Sequence, residues 1–158
     1  FTNTYSMNQQ REEMQQQVMK SQMIFGGIAA VSLFVAAIGI ANTMMMSIYE
    51  RTKEIGVLKV LGCALGDIRT MFLMEAGFIG FMGGVLGLGL SYSVSAAINK
   101  FLGASLSGMT GGSGAISRIP LWLSGSAVVF AVLIGMLAGL FPALRAMKLS
   151  PLAAIRNE

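Results

Sequence analysis

The sequence contains no histidine, one cysteine and three prolines, and only 11% of its 158 residues are charged. Without histidine it cannot form a histidine-containing zinc site or supply an imidazole general base, and a single cysteine cannot form a disulfide within the chain. The phosphate-binding pattern G-x-x-x-x-G-K-[ST] is also missing, because the glycine-rich stretches 83–87 and 111–114 contain no lysine. We therefore predict that this chain has no catalytic residues, no metal site, no cofactor of its own and no nucleic-acid partner.

Hydrophobic residues make up 54% of the sequence, above the roughly 45–50% of an ordinary soluble domain, and the charged residues occur in clusters. Three stretches are long and apolar enough to cross about 30 Å of hydrocarbon, namely residues 24–46, 72–98 and 121–141, and only Glu75 interrupts the second. Because lipid offers the backbone no hydrogen-bond partners, each stretch must be helical. The sequence therefore predicts an all-α integral membrane fold with three transmembrane helices, and it excludes a soluble globular domain.

Lysine and arginine are unequally divided among the segments that connect these spans. Seven lie in residues 47–71 and 142–158, whereas four lie in residues 1–23 and 99–120. The positive-inside rule therefore places the loop 47–71 and the tail 142–158 in the cytoplasm. The arm 1–23 and the Gly/Ser-rich loop 99–120, which we expect to be flexible, then lie outside.

The two ends of the chain are polar. The arm 1–23 begins without a signal-peptide pattern, so we expect the chain to be the C-terminal part of a longer protein. The arm lacks proline and glycine, which predicts a helix that runs into the first span as a stalk, while a disordered polar tail stays open as the alternative. At the other end, we expect Arg145 and Lys148 to anchor the last span at the anionic headgroups of the cytoplasmic leaflet.

Small residues recur every three or four positions along the second and third spans. In lipid, helices associate through close van der Waals contact, so these stripes predict that the two spans pack against other helices. For any single motif the alternative stays open that glycine is simply common in membrane helices. The predicted packing residues are Gly80, Gly84 and Gly87 in the second span and Ala131, Gly135 and Gly139 in the third.

The cytoplasmic loop 47–71 contains a short amphipathic pattern over residues 50–61. Apolar residues at helical spacing stand opposite basic ones, and this predicts a short helix that either lies in the lipid headgroups or docks on a protein partner. The residues alone favour the lipid-lying interpretation. The apolar residues are Ile55, Leu58 and Leu61, and the basic ones are Arg51, Lys53 and Lys59.

Three further residues near this loop carry predictions. We expect Gly62 to end the short helix and Asp67 to cap the next one. Glu75 lies one turn into the second span, close to the cytoplasmic boundary, where a hydrated or arginine-paired carboxylate is favoured over a proton relay.

Two motifs are specific enough to indicate a family. The first runs through Glu50-Arg51, Glu54-Ile55-Gly56 and Leu61-Gly62 in the cytoplasmic loop, and the second through residues 139–146, 149–151 and 154–156 at the end of the chain. Both lie at the expected places relative to the spans. From about residue 22 onward, the chain resembles the FtsX-like permease domain of MacB-type ABC transporters.

The resemblance implies a dimeric ABC transporter, in which this chain would supply the stalk and the last three of four transmembrane helices. A separate or fused partner ATPase would bind ATP and Mg and drive the movement, so that this chain needs no nucleotide site. The short cytoplasmic helix would dock in a groove of that ATPase, which replaces the lipid-lying interpretation. The candidate coupling residues are Glu50, Arg51, Glu54, Ile55, Gly56, Leu58 and Leu61.

The implied function is that of a permease subunit in the bacterial cytoplasmic membrane. It would couple ATP hydrolysis to movement of an extracytoplasmic domain, for export or extraction of a peptide, an antibiotic or a lipoprotein. The uncharged spans, without a wide polar stripe, favour such mechanotransmission over a conducting pore. A signalling scaffold that activates an extracellular cell-wall hydrolase stays open as the alternative. The expected partners are the ATPase, a second permease copy, the lipid bilayer and an extracytoplasmic accessory protein.

Overall fold

The computed structural model describes residues 2–110, 117–148 and 150, with only the backbone described in the helical residues 2–5 and 104–110. This part of the chain is helical and contains no strand. Three of its helices are long and apolar enough to cross a membrane, which confirms the predicted all-α membrane fold. The helices are α1 (Thr2–Glu50), α2 (Thr52–Val60), α3 (Leu65–Thr110) and α4 (Leu121–Met147).

The chain divides into two compact units, Phe1–Ala36 and Ala37–Glu158. The first unit consists of the N-terminal part of α1, and its described side chains are almost all exposed. The predicted helix in the arm is present, because α1 begins at Thr2. The second unit contains the end of α1 together with α2, α3 and α4.

Helices α3 and α4 approach so closely that their backbones are in contact. A Cβ added to Gly80 would lie 2.5 Å from the carbonyl oxygen of Ala131, and one added to Gly135 would lie 2.7 Å from that of Ala76. A Cβ on Gly139 would overlap the side chain of Ala76. Glycine is therefore required at all three positions, because any side chain there would push the two helices apart.

The remaining glycines of the predicted stripe on α3 differ from each other. A Cβ on Gly84 would lie 3.0 Å from the Cβ of Ala131, so Gly84 also belongs to the α3–α4 contact. Gly87 is exposed and has no atom within 4 Å of its Cβ position, so the structure leaves it outside this contact.

All four helices contribute to one hydrophobic cluster, which we call the junction core. It lies where α1 ends, α2 runs and α3 begins, against the last turns of α4. Phe72 and Met44 are its largest fully buried side chains. Pro142 is also fully buried, and because proline has no N–H, the carbonyl of Ala138 lacks its usual helical donor. The members of the junction core are Met44, Ile48, Ile55, Ile68, Phe72, Ala76, Ala143 and Ala146.

At the opposite end of the same pair of helices, polar side chains join α3 to the segment that leads into α4. The Asn99 side-chain nitrogen donates to the carbonyl of Ser117 at 2.8 Å, and the Ser117 N–H donates back to the Asn99 side-chain oxygen at 2.9 Å. The Tyr92 and Ser124 hydroxyls are 2.7 Å apart and share a hydrogen bond. The Asn99 side-chain amide pairs with Ser117 as a peptide group would, so the backbone N–H and the carbonyl of Ser117 both have partners.

The prediction of a loop over residues 99–120 is therefore wrong in part. Helix α3 continues to Thr110, and residues 117–120 are held near α3 through Ser117 and are not free. The glycine and serine content of the segment suggested a flexible loop, but glycine is tolerated in the helices of membrane proteins more often than in soluble ones. Residues 111–116 lie outside the described residues.

Replacing Gly135 by alanine tests the contact between α3 and α4. The added Cβ would meet the Ala76 carbonyl, and we expect a loss of about 1–3 kcal/mol in the free energy of unfolding, as for other overpacked sites. Gly125→Ala is the matched control on the same helix, because no atom lies within 4 Å of its Cβ position. Unfolding of the full-length protein in mild detergent would be followed by circular dichroism, and equal stability of the two variants would contradict the described packing.

Candidate functional site

Helix α2 follows α1 after a single residue and is fastened to its last turn. Arg51 leaves the helical conformation, with φ −100° and ψ 15°, and α2 begins at Thr52. The Thr52 hydroxyl lies 2.9 Å from the carbonyl oxygens of Ile48 and Tyr49, to which it can donate. The carbonyls at the end of α1 have no helical donors of their own, so this hydroxyl satisfies part of that end and fixes the turn between the helices.

The end of α2 is formed by Gly62, which confirms the predicted stop. Gly62 adopts a φ of +86°, its N–H donates to the Lys59 carbonyl at 3.1 Å, and the Cys63 N–H donates to the Leu58 carbonyl at 3.0 Å. These two bonds and the left-handed glycine form a Schellman motif, which satisfies the last carbonyls of the helix.

The predicted capping role of Asp67 is wrong. Helix α3 begins at Leu65, and the N–H groups of Asp67 and Ile68 donate to the Ala64 carbonyl at 3.0 and 3.4 Å. Asp67 therefore lies inside the first turn of α3 and not before it. Its carboxylate still favours the helix there, because a negative charge near a helix N-terminus interacts favourably with the dipole.

The buried face of α2 is narrower than the sequence pattern predicted. Ile55 is only 1% exposed, Gly56 is buried and Leu58 is half-buried, but Leu61 is 78% exposed. Steps of three residues turn by about 300°, so two such steps displace Leu61 by about 120° from Ile55. The helix also ends at Val60, and Leu61 follows its last residue.

Lys59 lies on the packed side of α2 and not on the solvent side where the pattern placed it. It follows Ile55 by four residues, a separation of about 40° around the helix, so the two share a face. The Lys59 Nζ donates to the carbonyls of Ala146 and Met147 at 3.1 and 2.8 Å, at the end of α4. Burial lowers the pKa of Lys59, because partial removal of water disfavours the charged ammonium group.

The opposite side of α2 is exposed and carries both charged and aliphatic side chains. Val57 is 50% exposed and Val60 is 65% exposed, and they share this side with Lys53 and Glu54, which carry opposite charges. We call this surface the outer face of α2, and its residues are Lys53, Glu54, Val57, Val60 and Leu61. Glu50 and Arg51, two other predicted coupling residues, are exposed just before it.

Arg51 faces Glu75 on α3, which agrees with the arginine-paired form of the two environments expected for that carboxylate. Their closest nitrogen and oxygen atoms are 3.9 Å apart, and the side chains are 51% and 34% exposed. Water screens a pair this long and this exposed, so it contributes at most about 1 kcal/mol.

The predicted site residues therefore fall into separate groups. The structure brings Ile55 into the junction core and leaves Glu54 and Leu61 on the outer face of α2. Arg145 and Lys148 are exposed at the last turn of α4, the position expected of a membrane anchor. Within residues 2–110, 117–148 and 150, no three cysteine or acidic side chains come together as metal ligands would.

Sequence reasoning missed two residues that join elements of this unit. The four-residue spacing from Ile55 indicated that Lys59 shares its face, but Lys59 was grouped with the other basic residues and therefore placed on the solvent side. Asn99 stands near the end of a long apolar stretch, and a side-chain amide in that setting needs partners for its polar groups.

The comparisons with known proteins identify the class. A family model for the FtsX-like permease C-terminal region matches residues 26–151. The chain is 40% identical over 136 residues to an ABC transporter permease of Methanocaldococcus jannaschii, which covers 84% of this chain and 32% of that protein. It is 40% identical over 146 residues to the ABC transporter permease YtrF of Bacillus subtilis, with 89% and 33% covered.

A third relative is the macrolide export ATP-binding/permease protein MacB of Bdellovibrio bacteriovorus. The identity is 40% over 136 residues, which cover 86% of this chain and 19% of MacB. The chain thus spans about a third of the length of the two permeases and about a fifth of MacB. Its membrane helices and these matches place it among the permease components of ABC transporters. Within that class, the chain belongs to the FtsX-like permease family.

Replacing Gly62 by alanine tests how α2 ends. A side chain in the left-handed conformation costs about 1–2 kcal/mol, so we expect the thermal unfolding midpoint of the detergent-solubilised protein to fall. Gly66→Ala is the control, because Gly66 lies in the first turn of α3 with no atom within 4 Å of its Cβ position. If Gly62→Ala were as stable as Gly66→Ala, the Schellman motif would not end α2.

Proposed function

We propose that this chain is the membrane part of a MacB-type ABC transporter and passes movement of an ATPase partner to the extracytoplasmic side. One observation carries the proposal: α2 has an exposed outer face and an inner residue, Ile55, that is built into the junction core. A partner that binds the outer face would therefore pull on a cluster to which α1, α3 and α4 all contribute. Closely packed interiors transmit such a displacement, because they have little room to deform.

The composition of the outer face supports a protein partner over a lipid surface. A helix that lies in the headgroups separates its apolar side from its charged side. On α2, Lys53 and Glu54 share the exposed face with Val57, Val60 and Leu61, and the inner side is already buried against the protein. A groove with apolar walls and charges of both signs at its rim would match this surface.

The nucleotide is assigned to another subunit or domain. The relative MacB is named as an ATP-binding and permease protein, and this chain matches only 19% of that protein. We propose that ATP and Mg bind to a separate or fused ATPase, that the transporter contains a second permease copy, and that it lies in a bacterial cytoplasmic membrane. The exported or extracted substrate would be a peptide, an antibiotic or a lipoprotein.

Movement without a pore fits the contact between α3 and α4. Gly80 and Gly135 bring the two backbones together, so no path for a solute runs between these two helices. We propose that the membrane helices pass the movement on and that residues 1–23 of α1 act as the stalk on the outside. The exposed Arg145 and Lys148 would hold the end of α4 at the cytoplasmic headgroups during that movement.

The double substitution Val57→Asp with Leu61→Asp tests the docking surface. Two carboxylates on the outer face would lose their water on binding, so we expect capture of the ATPase with the full-length parent protein to fall at least about tenfold. Met14→Asp, an equally exposed apolar residue in the arm, is the control. Where the ATPase is fused to the permease, capture cannot be measured, and the effect of the permease on the rate of ATP hydrolysis is measured in its place. Normal capture or normal coupling in the double variant would overturn the docking assignment.

The single cysteine of the chain tests the orientation. Cys63 is exposed in the segment that we place in the cytoplasm. We expect a membrane-impermeant maleimide to label it in permeabilised cells and not in intact spheroplasts, with cysteines elsewhere in the parent protein replaced by serine. Arg118→Cys, in a Cys63→Ser background, is the matched reporter for the outside and should label in intact spheroplasts. The reverse pattern would invert the topology and remove the basis for a cytoplasmic partner.

A further inference from the structure

Helix α4 ends against a lysine that comes from a distant part of the chain. The Lys59 Nζ lies 3.1 Å from the Ala146 carbonyl oxygen and 2.8 Å from that of Met147, the last residue of α4. Carbonyls in the last turn of a helix have no partners within the helix. Ala146 is fully buried, and Lys59 and Met147 are partly buried, so the contact is partly shielded from water. The ammonium group thus caps α4 from α2.

We propose that Lys59 is the positioning residue that joins α2 to the end of α4 and passes displacement of α2 to this last membrane helix. The inference rests on the proposed function, because it assumes that a partner displaces α2. Three sets of contacts connect α2 to the membrane helices, and the proposal goes beyond that function in assigning one of them, the link to α4, to a single side chain.

The three sets of contacts differ in their physical character. The junction core joins α2 to all the other helices at once through apolar contacts, which are non-directional and so favour no single helix. The Arg51–Glu75 pair reaches α3, but it is long and exposed, so it transmits little force. Hydrogen bonds hold their atoms within a narrow range of distance and angle, so the two bonds from Lys59 make a directional link between α2 and the end of α4 alone.

The charge of Lys59 adds to this link. The C-terminal end of a helix carries a partial negative charge, and a cation placed there is favourable, more so when it is partly buried. Hydrogen bonds from a charged donor are about twice as strong as neutral ones. Arg145 and Lys148 belong to the same end of α4 but are exposed, so neither occupies this inward position.

The experiment compares Lys59→Met, Lys59→Arg and the control Lys100→Met in the full-length transporter with its ATPase. Methionine keeps most of the apolar stem and removes the ammonium, arginine keeps a charged donor, and Lys100 is an exposed lysine on α3 outside this contact. Hydrogen exchange, measured by mass spectrometry, would be compared between the nucleotide-free state and the state trapped with ATP and vanadate. The two reporter segments are residues 65–73 at the start of α3 and 140–148 at the end of α4.

In the wild type and in Lys100→Met, we expect nucleotide to change exchange in both segments. In Lys59→Met, we expect the nucleotide-dependent difference to fall at least about twofold in 140–148 and to persist in 65–73, with capture of the ATPase unchanged. Lys59→Arg should restore much of the response of α4. A purely structural role would raise exchange in both nucleotide states and would leave no selective loss in α4.

Three results would overturn the proposal. They are a normal α4 response in Lys59→Met, an equal loss of response in both segments, and a loss in Lys59→Arg as large as in Lys59→Met. If Lys59→Met fails to insert, Lys59→Gln, a neutral donor on a shorter stem, replaces it with the same expectation. If the wild type captures no ATPase and shows no nucleotide-dependent change in either segment, the proposed function fails, and the role of Lys59 fails with it.

Discussion

The backbones of α3 and α4 touch because no side chain stands between them at Gly80 and Gly135, and the rest of the second unit depends on this contact. In lipid, apolar burial does not hold two helices together, so close contact must do so. The contact sets the register of α4 against α3. It thereby brings Ala143 and Ala146, the last small residues of α4, into the same buried cluster as the large side chain of Phe72.

That register gives α2 its place. A helix of nine residues is too short to be stable alone in water, so its structure depends on the surroundings that receive it. Ile55 enters the cluster, Lys59 meets the end of α4, and Gly62 reverses the chain toward α3. Since these contacts occupy one side of α2, the other side is left uncovered, and a partner that binds there acts on a segment whose position the membrane helices define.

The sequence predicted well what depends on composition and on local geometry, and poorly what depends on the angle at which helices meet. Three apolar runs were sufficient to predict three membrane-spanning helices, and Gly62 was recognisable as the residue that ends α2. The face of α2 was mistaken because steps of three residues drift around a helix, so Leu61 was grouped with Ile55 and Lys59 was placed in solvent. Gly87 continues the spacing of Gly80 and Gly84, but it has no atom of α4 near its Cβ position, and spacing alone did not distinguish it from them.

The reciprocal pair between Asn99 and Ser117 has a consequence for the evolution of this connection. Its two hydrogen bonds close a ring of chain between Asn99 and Ser117, and the glycine contacts between α3 and α4 lie outside that ring. Residues inserted or deleted inside the ring change its circumference and leave the crossing of α3 and α4 as it is. Loop closure becomes only slowly more costly with length, so a change in the length of this connection would cost little free energy.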